Sequence, residues 1–143
     1  MTPDPAAIDT NVAVSGLLTS LAAAPTARIL DGMLVGRFRF LISLDLLSEY
    51  RSVLLRQKIR RRHGLAAAEI DTLLTEIAAN GQVVEIDKPR GRGAGTGDEH
   101  LWEILAAVSS ALLVTGDRRL FEKPAGKGRV LTPRAFSKLL GER

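Results

Sequence analysis

The chain of 143 residues contains no cysteine, which excludes disulfides and thiolate-held metal and suits a reducing cytoplasm. Its opening residues, "MTPDPAAID", offer neither a basic head nor an apolar core, so no secretory signal is expected. No apolar run approaches the length of a membrane span, and no membrane partner is expected. Internal repeats are absent. No linker is long enough to divide the chain, so residues 1–143 are expected to form a single domain. The glycine-rich "GRGAGTG" (91–97) also lacks what a phosphate loop needs. The last glycine of a G-x-G-x-x-G pattern is missing, and no Lys-Ser or Lys-Thr follows. A flexible connection is the expectation there.

What remains is an ordinary globular composition, 45% hydrophobic and 25% charged, with a basic lean of +4 and a pI near 10.0. The imbalance is local. "RQKIRRRHG" (56–64) gathers Arg56, Lys58, Arg60, Arg61 and Arg62, and "DKPRGRG" (87–93) adds a second cluster. Such runs suit a polyanion, although a solvated helix end would carry the same residues.

Patterning predicts strands alternating with helices. "AAID" (6–9) and "ALLVT" (111–115) look like short buried strands, and "FRFLIS" (38–43), "QVVEI" (82–86) and "RVL" (129–131) like the remainder. Helices are expected over 11–23, from Pro25 to Gly36, and over 44–56, 65–80, 98–108 and 132–140. Asp98 and Thr132 stand at N-cap positions. The alternation predicts a three-layer α/β/α sandwich on a mainly parallel central sheet. Trp102, Leu101 and Leu105 are expected in the core.

"AAIDTNVAVSGLL" (6–18) sets Asp9 between two apolar runs. An ionised carboxylate so placed needs hydrogen bonds, a counter-charge or a cation. In parallel sheets, sites form beyond the carboxyl ends of the strands. That edge would collect Asp9 and Asp117 from two strand ends and Asp98 and Glu99 from a helix start. Glu49, one turn into its helix, points back toward the same edge. Carboxylates converging there would repel unless a hard cation such as Mg²⁺ or Mn²⁺ joined them. Each acid alone has an ordinary alternative. Asp9 and Asp98 could be helix caps, Asp117 a turn residue, Glu49 an ion-pair partner of Arg51 or Arg56, and Glu99 and Glu103 surface charges. The constellation carries the signal. His63 and His100 are too isolated to be read as metal ligands.

"AIDTNVAVSGLL", "SLDLLSEYRSVL", "DEHLWEIL" and "LLVTGDRRLF" occur here in the order found in PIN domains, and nearly the whole chain resembles that family. "RQKIRRRHGL" and "RVLTPRAFSKLL" are similar to its VapC-like subgroup, the toxins of bacterial toxin–antitoxin pairs. The resemblance implies a cytoplasmic ribonuclease dependent on Mg²⁺ or Mn²⁺. It also implies a homodimer and a cognate antitoxin that covers the acidic centre. Carried over by position, Asp9 matches the first family acid, Glu49 the second and Asp117 the acid of the "TGD" turn. Spacing back from Thr115 puts the third at Glu99, and a one-residue shift would put it at Asp98. Thr10, Asn11 and Thr115 match residues that orient the carboxylates. The chain departs from the family where relatives continue "TGDRDL", because Arg119 replaces the second acid.

The expected chemistry is hydrolysis of RNA phosphodiesters, with the five basic residues of 56–62 gripping the backbone. A haloacid-dehalogenase-like phosphatase would need a second Asp where Asn11 stands. A response-regulator receiver would need an acidic pair at the first strand. A PIN-like module with a decayed site, binding RNA or a protein without cleaving, is the competing expectation.

Overall fold

In the computed structural model, which describes residues 4–86 and 97–141, the apolar residues ahead of Asp9 supply the central strand of the sheet. Strand β1 (Ala6–Ile8) is flanked in parallel by β2 (Phe40–Ile42) and β4 (Leu112–Val114). Beyond them lie β3 (Gln82–Val83) and β5 (Val130–Leu131), also parallel, giving the order β3-β2-β1-β4-β5. The ladder continues through the flanks of β1. Pro5, which has no N–H to donate, accepts from Leu112 N–H (2.9 Å), and Asp9 N–H donates to the Val114 carbonyl (2.9 Å). Ala6, Ala7 and Ile8 are fully buried, as a strand covered on both faces must be.

Helix α1 (Thr10–Leu18) ends several residues short of the expected boundary. The chain turns there so that α2 (Pro25–Val35) can cross it closely at Gly16. A Cβ on Gly16 would stand 2.4 Å from the Thr26 carbonyl oxygen, so only glycine fits. Gly36, with φ of 69°, ends α2 in the left-handed conformation expected of it.

Helix α3 (Leu44–Leu54) is capped by Ser43 and buries Leu46, Tyr50 and Leu54. The basic run forms a short helix of its own, α4 (Gln57–His63), closed by Gly64. Its last residue ties the turn together, because His63 Nδ1 accepts from Leu65 N–H and Nε2 then donates to the Leu54 carbonyl. Helix α5 (Ala67–Asn80) follows, then α6 (Glu99–Ala107) and, after β5, α7 (Pro133–Leu139) capped by Thr132. Two 3₁₀ turns, Arg118–Glu122 and Pro124–Gly126, have no counterpart in the sequence pattern. They bury Leu120, and Gly126 lies so close to Trp102 that a Cβ would clash with its ring. Trp102 therefore packs on the rim of the core, whereas Leu101 and Leu105 are inside it. Most of the expected glycine-rich connection, 87–96, lies outside the described residues.

Candidate active site

Asp9 emerges at the carboxyl end of β1 and is 7% exposed. It occupies the N-cap of α1, where its Oδ1 accepts from Thr10 N–H at 2.8 Å. Its Oδ2 accepts from the Thr115 hydroxyl at 2.6 Å and from Asn11 Nδ2 at 3.2 Å. The cap and the cradle are thus one arrangement. Asn11 and Thr115 also accept from the loop after β4, through the N–H groups of Gly116 (3.2 Å) and Asp117 (3.0 Å). Burial pushes the Asp9 carboxyl above the usual range. The bonds from Thr115 and Thr10 oppose that shift without reversing it, and the charges of Glu49 and Asp98 add to it. The carboxylate is held by neutral donors and makes no ion pair among the described residues.

Glu49 arrives from α3, which is anchored to the strand end by the Tyr50 phenol donating to the Ile8 carbonyl. Its Oε1 accepts from the Thr10 hydroxyl at 2.9 Å and from His100 Nε2 at 2.8 Å. Burial works against its charge, but the His100 and Thr10 bonds and the nearby charges of His100 and Arg56 hold the carboxyl below its ordinary value. Burial likewise opposes charge on His100, and the Glu49 bond with the charges of Glu49, Asp9 and Asp45 raises it. The sequence alone does not single out His100 for any role. Its one sign is position, a histidine directly after an acid pair at a helix start. Arg51 pairs with Asp71 (2.8 Å), not with Glu49.

Asp98 sits at the N-cap of α6, but its side chain makes no capping hydrogen bond, contrary to expectation. Its backbone (φ −99°, ψ −10°) is helical rather than extended, so the side chain does not fold back on the first amides. It lines the cleft instead, and Glu99 does not. Asp117 lines it too, accepting from Arg119 N–H (3.0 Å), Nε (3.1 Å) and Nη2 (2.7 Å). The Arg119 bonds hold the Asp117 carboxyl below the usual range.

These side chains share a cleft of about 610 Å³. Asp9, Thr10, Asn11, Glu49, Asp98 and Asp117 line one part, and Val14, Ser15, Leu18, Thr19, Val53, Arg56, Ile59 and Arg62 line the rest. Arg56, Ile59 and Arg62 recur at three-residue spacing and so share one face of the basic segment. Lys58, Arg60 and Arg61 are not in the lining. Carboxylate oxygens are the ligand type that hard cations take, and four carboxylates line this one cleft. Among the described residues, no three Asp, Glu or His side chains stand close enough to hold an ion without adjustment.

A family model described as PIN domain matches residues 5–119, a span that includes all five candidate acids. A search of curated proteins finds no match.

Proposed function

The chain belongs to the PIN domain family, whose members are generally nucleases, and on that premise we propose that it is a divalent-metal-dependent endoribonuclease. The observation that carries this reading is the placement of Asp9, Glu49, Asp98 and Asp117 around one cleft that also receives Arg56 and Arg62. Asp9, Glu49 and Asp98 would hold Mg²⁺ or Mn²⁺, joined by Asp117 when Arg119 releases it. When bound, such an ion makes coordinated water a better nucleophile and offsets charge developing on the phosphate. Thr10, Asn11 and Thr115 keep the carboxylates in place. Arg56 and Arg62 draw the RNA backbone into the cleft, and Lys58, Arg60 and Arg61 attract it from outside. Cleavage of RNA by the pure protein with Mg²⁺ or Mn²⁺, and none with EDTA, is the expected result. Cleavage that persists in EDTA would overturn the metal dependence.

In the same reading the protein is the toxin of a toxin–antitoxin pair. It acts in the cytoplasm as a homodimer and is silenced by a cognate antitoxin seated over the cleft. Its support is the resemblance of 56–65 and 129–140 to that subgroup. Induced expression should arrest growth, and Asp9→Asn should not; growth unaffected by the active chain would remove the toxin role.

One observation favours a second reading, a decayed module that binds RNA or a protein without cutting. Arg119 already occupies Asp117. Calorimetry with Mn²⁺ separates the two, because a decayed centre takes up no ion.

A further inference from the structure

We infer that His100 is a positioning residue of this centre. It holds Glu49 by one oxygen and so turns the other, Oε2, toward the cation; the inference rests on the nuclease reading above. His100 lies on α6 and Thr10 on α1, and both reach the same atom, Glu49 Oε1, at 2.8 and 2.9 Å. Two donors from two helices fix where that oxygen sits. Oε2 makes no hydrogen bond among the described residues, and Glu49 lines the cleft. Without such restraint, a partly exposed glutamate on rotatable bonds would spread over many rotamers. Thr10 cannot supply the restraint alone, because a hydroxyl has one proton and a single donor leaves the carboxylate able to swing about it.

The imidazole is committed to this contact. A carboxylate only accepts, so Nε2 must carry the proton it shares with Glu49. Nδ1 is buried and has no hydrogen-bond partner among the described residues. The bond to Glu49 is therefore the ring's only polar link there. An apolar residue would fill this buried position without leaving an unsatisfied nitrogen. His100 is absent from the cleft lining and contacts the acid that belongs to it, which is the place of a positioning residue. Partners of this kind, one step removed from a metal, typically govern its affinity by 10–100-fold.

The test is Mn²⁺ binding by calorimetry on the full chain, with melting followed by circular dichroism in EDTA. Three variants are compared: His100→Gln, His100→Asn and His100→Leu. A glutamine amide can reach Glu49 Oε1 and donate to it, the shorter asparagine cannot, and leucine has no donor. Near-wild-type affinity is expected for Gln, and a loss of about 10-fold or more for Asn and Leu. If the leucine variant fails to fold, the Gln and Asn pair decides. Unchanged affinity in Asn, or a loss in Gln equal to that in Asn, overturns the positioning role while the metal centre stands. A wild-type chain that binds no Mn²⁺ overturns both.

Discussion

Arg119 clasps Asp117 through two guanidinium nitrogens, Nε at 3.1 Å and Nη2 at 2.7 Å, while its own backbone N–H bonds the same carboxylate. One residue of the cleft thus arrives with a counter-charge already in place, from a position where the family resemblance leads one to expect another acid. A cation and a guanidinium compete for the same two oxygens. Arg119 is 79% exposed, so water and salt weaken its hold.

Arg119→Ala is therefore expected to tighten Mn²⁺ binding by a few-fold, with little change in melting temperature, because exposed pairs contribute little to stability. Calorimetry on both proteins at one ionic strength checks this. Weaker binding in the variant would mean that Arg119 supports the centre, by holding Asp117 in place or by contacting substrate.

The α6 start is where structure and sequence pattern differ most. Residue type assigns Asp98 the cap and Glu99 the ion, since Asp caps well and Glu does not. The helical backbone at Asp98 leaves that cap unmade, and its carboxylate lines the cleft close enough to raise Asp9. Asp98→Asn should weaken Mn²⁺ binding and cleavage by roughly 10-fold or more, and Glu99→Gln should leave both nearly unchanged. Cleavage lost only in Glu99→Gln would give the ligand role to Glu99.

Why some of this is legible in the sequence and some not follows from what each feature depends on. β1 and β4 can be read because fully buried strands are short apolar runs ending on polar residues, as at Asp9 and Thr115. Parallel pairing then forces Asp9 and Asp117 to one edge without any knowledge of distances. Helix α4 is hidden because arginines dominate it and its apolar period rests on Ile59 alone. The early end of α1 depends on the crossing at Gly16, a tertiary demand with no local signal. The His100–Glu49 contact joins residues 51 positions apart and is created only when α6 docks beside α3. The Asp98 cap fails for the opposite reason: residue type favours it, and local backbone geometry overrides it.

Helix α4 divides the basic residues by face. Arg56 and Arg62 line the cleft and their side chains make no hydrogen bond or ion pair among the described residues, whereas Lys58, Arg60 and Arg61 lie outside the lining. Removing one cation–phosphate pairing with a single strand lowers the log–log salt slope of binding by about 0.7. Arg56→Ala with Arg62→Ala should lower it by roughly 1.4, and Arg60→Ala with Arg61→Ala by less. Filter binding of a short RNA to an Asp9→Asn background, across a salt series, measures both. Equal slopes for the two pairs would show that facing the cleft gives no advantage.

Asp9 itself gives the sharpest test, because removing it should help the fold while ending its activity. Its carboxyl is raised above the ordinary 3.8, chiefly by burial, with the charges of Glu49 and Asp98 adding to the shift and the bonds from Thr115 and Thr10 opposing it. A raised acid binds its proton more tightly in the folded chain than in the unfolded one. Ionising it therefore costs stability, and the sign is fixed. The cost is absent well below 3.8, grows as pH rises toward the folded value and is complete above it. Asparagine resembles the protonated acid in shape and carries no charge. Its amide nitrogen cannot accept from Asn11 as the carboxylate does, but that bond is the longest of the three, at 3.2 Å. The Thr115 hydroxyl, a donor to Asp9, can rotate to accept from the amide instead. In EDTA at neutral pH, Asp9→Asn should melt at a higher temperature than the parent chain, and the advantage should vanish near pH ~3, where the parent acid is itself protonated. With Mn²⁺ present the order should reverse, since the parent gains from binding an ion and the variant does not. Cleavage should fall by more than roughly 100-fold, the upper end of what losing a supporting residue costs. A variant less stable than the parent at neutral pH in EDTA would show that the Thr115, Thr10 and Asn11 bonds outweigh the burial of the charge.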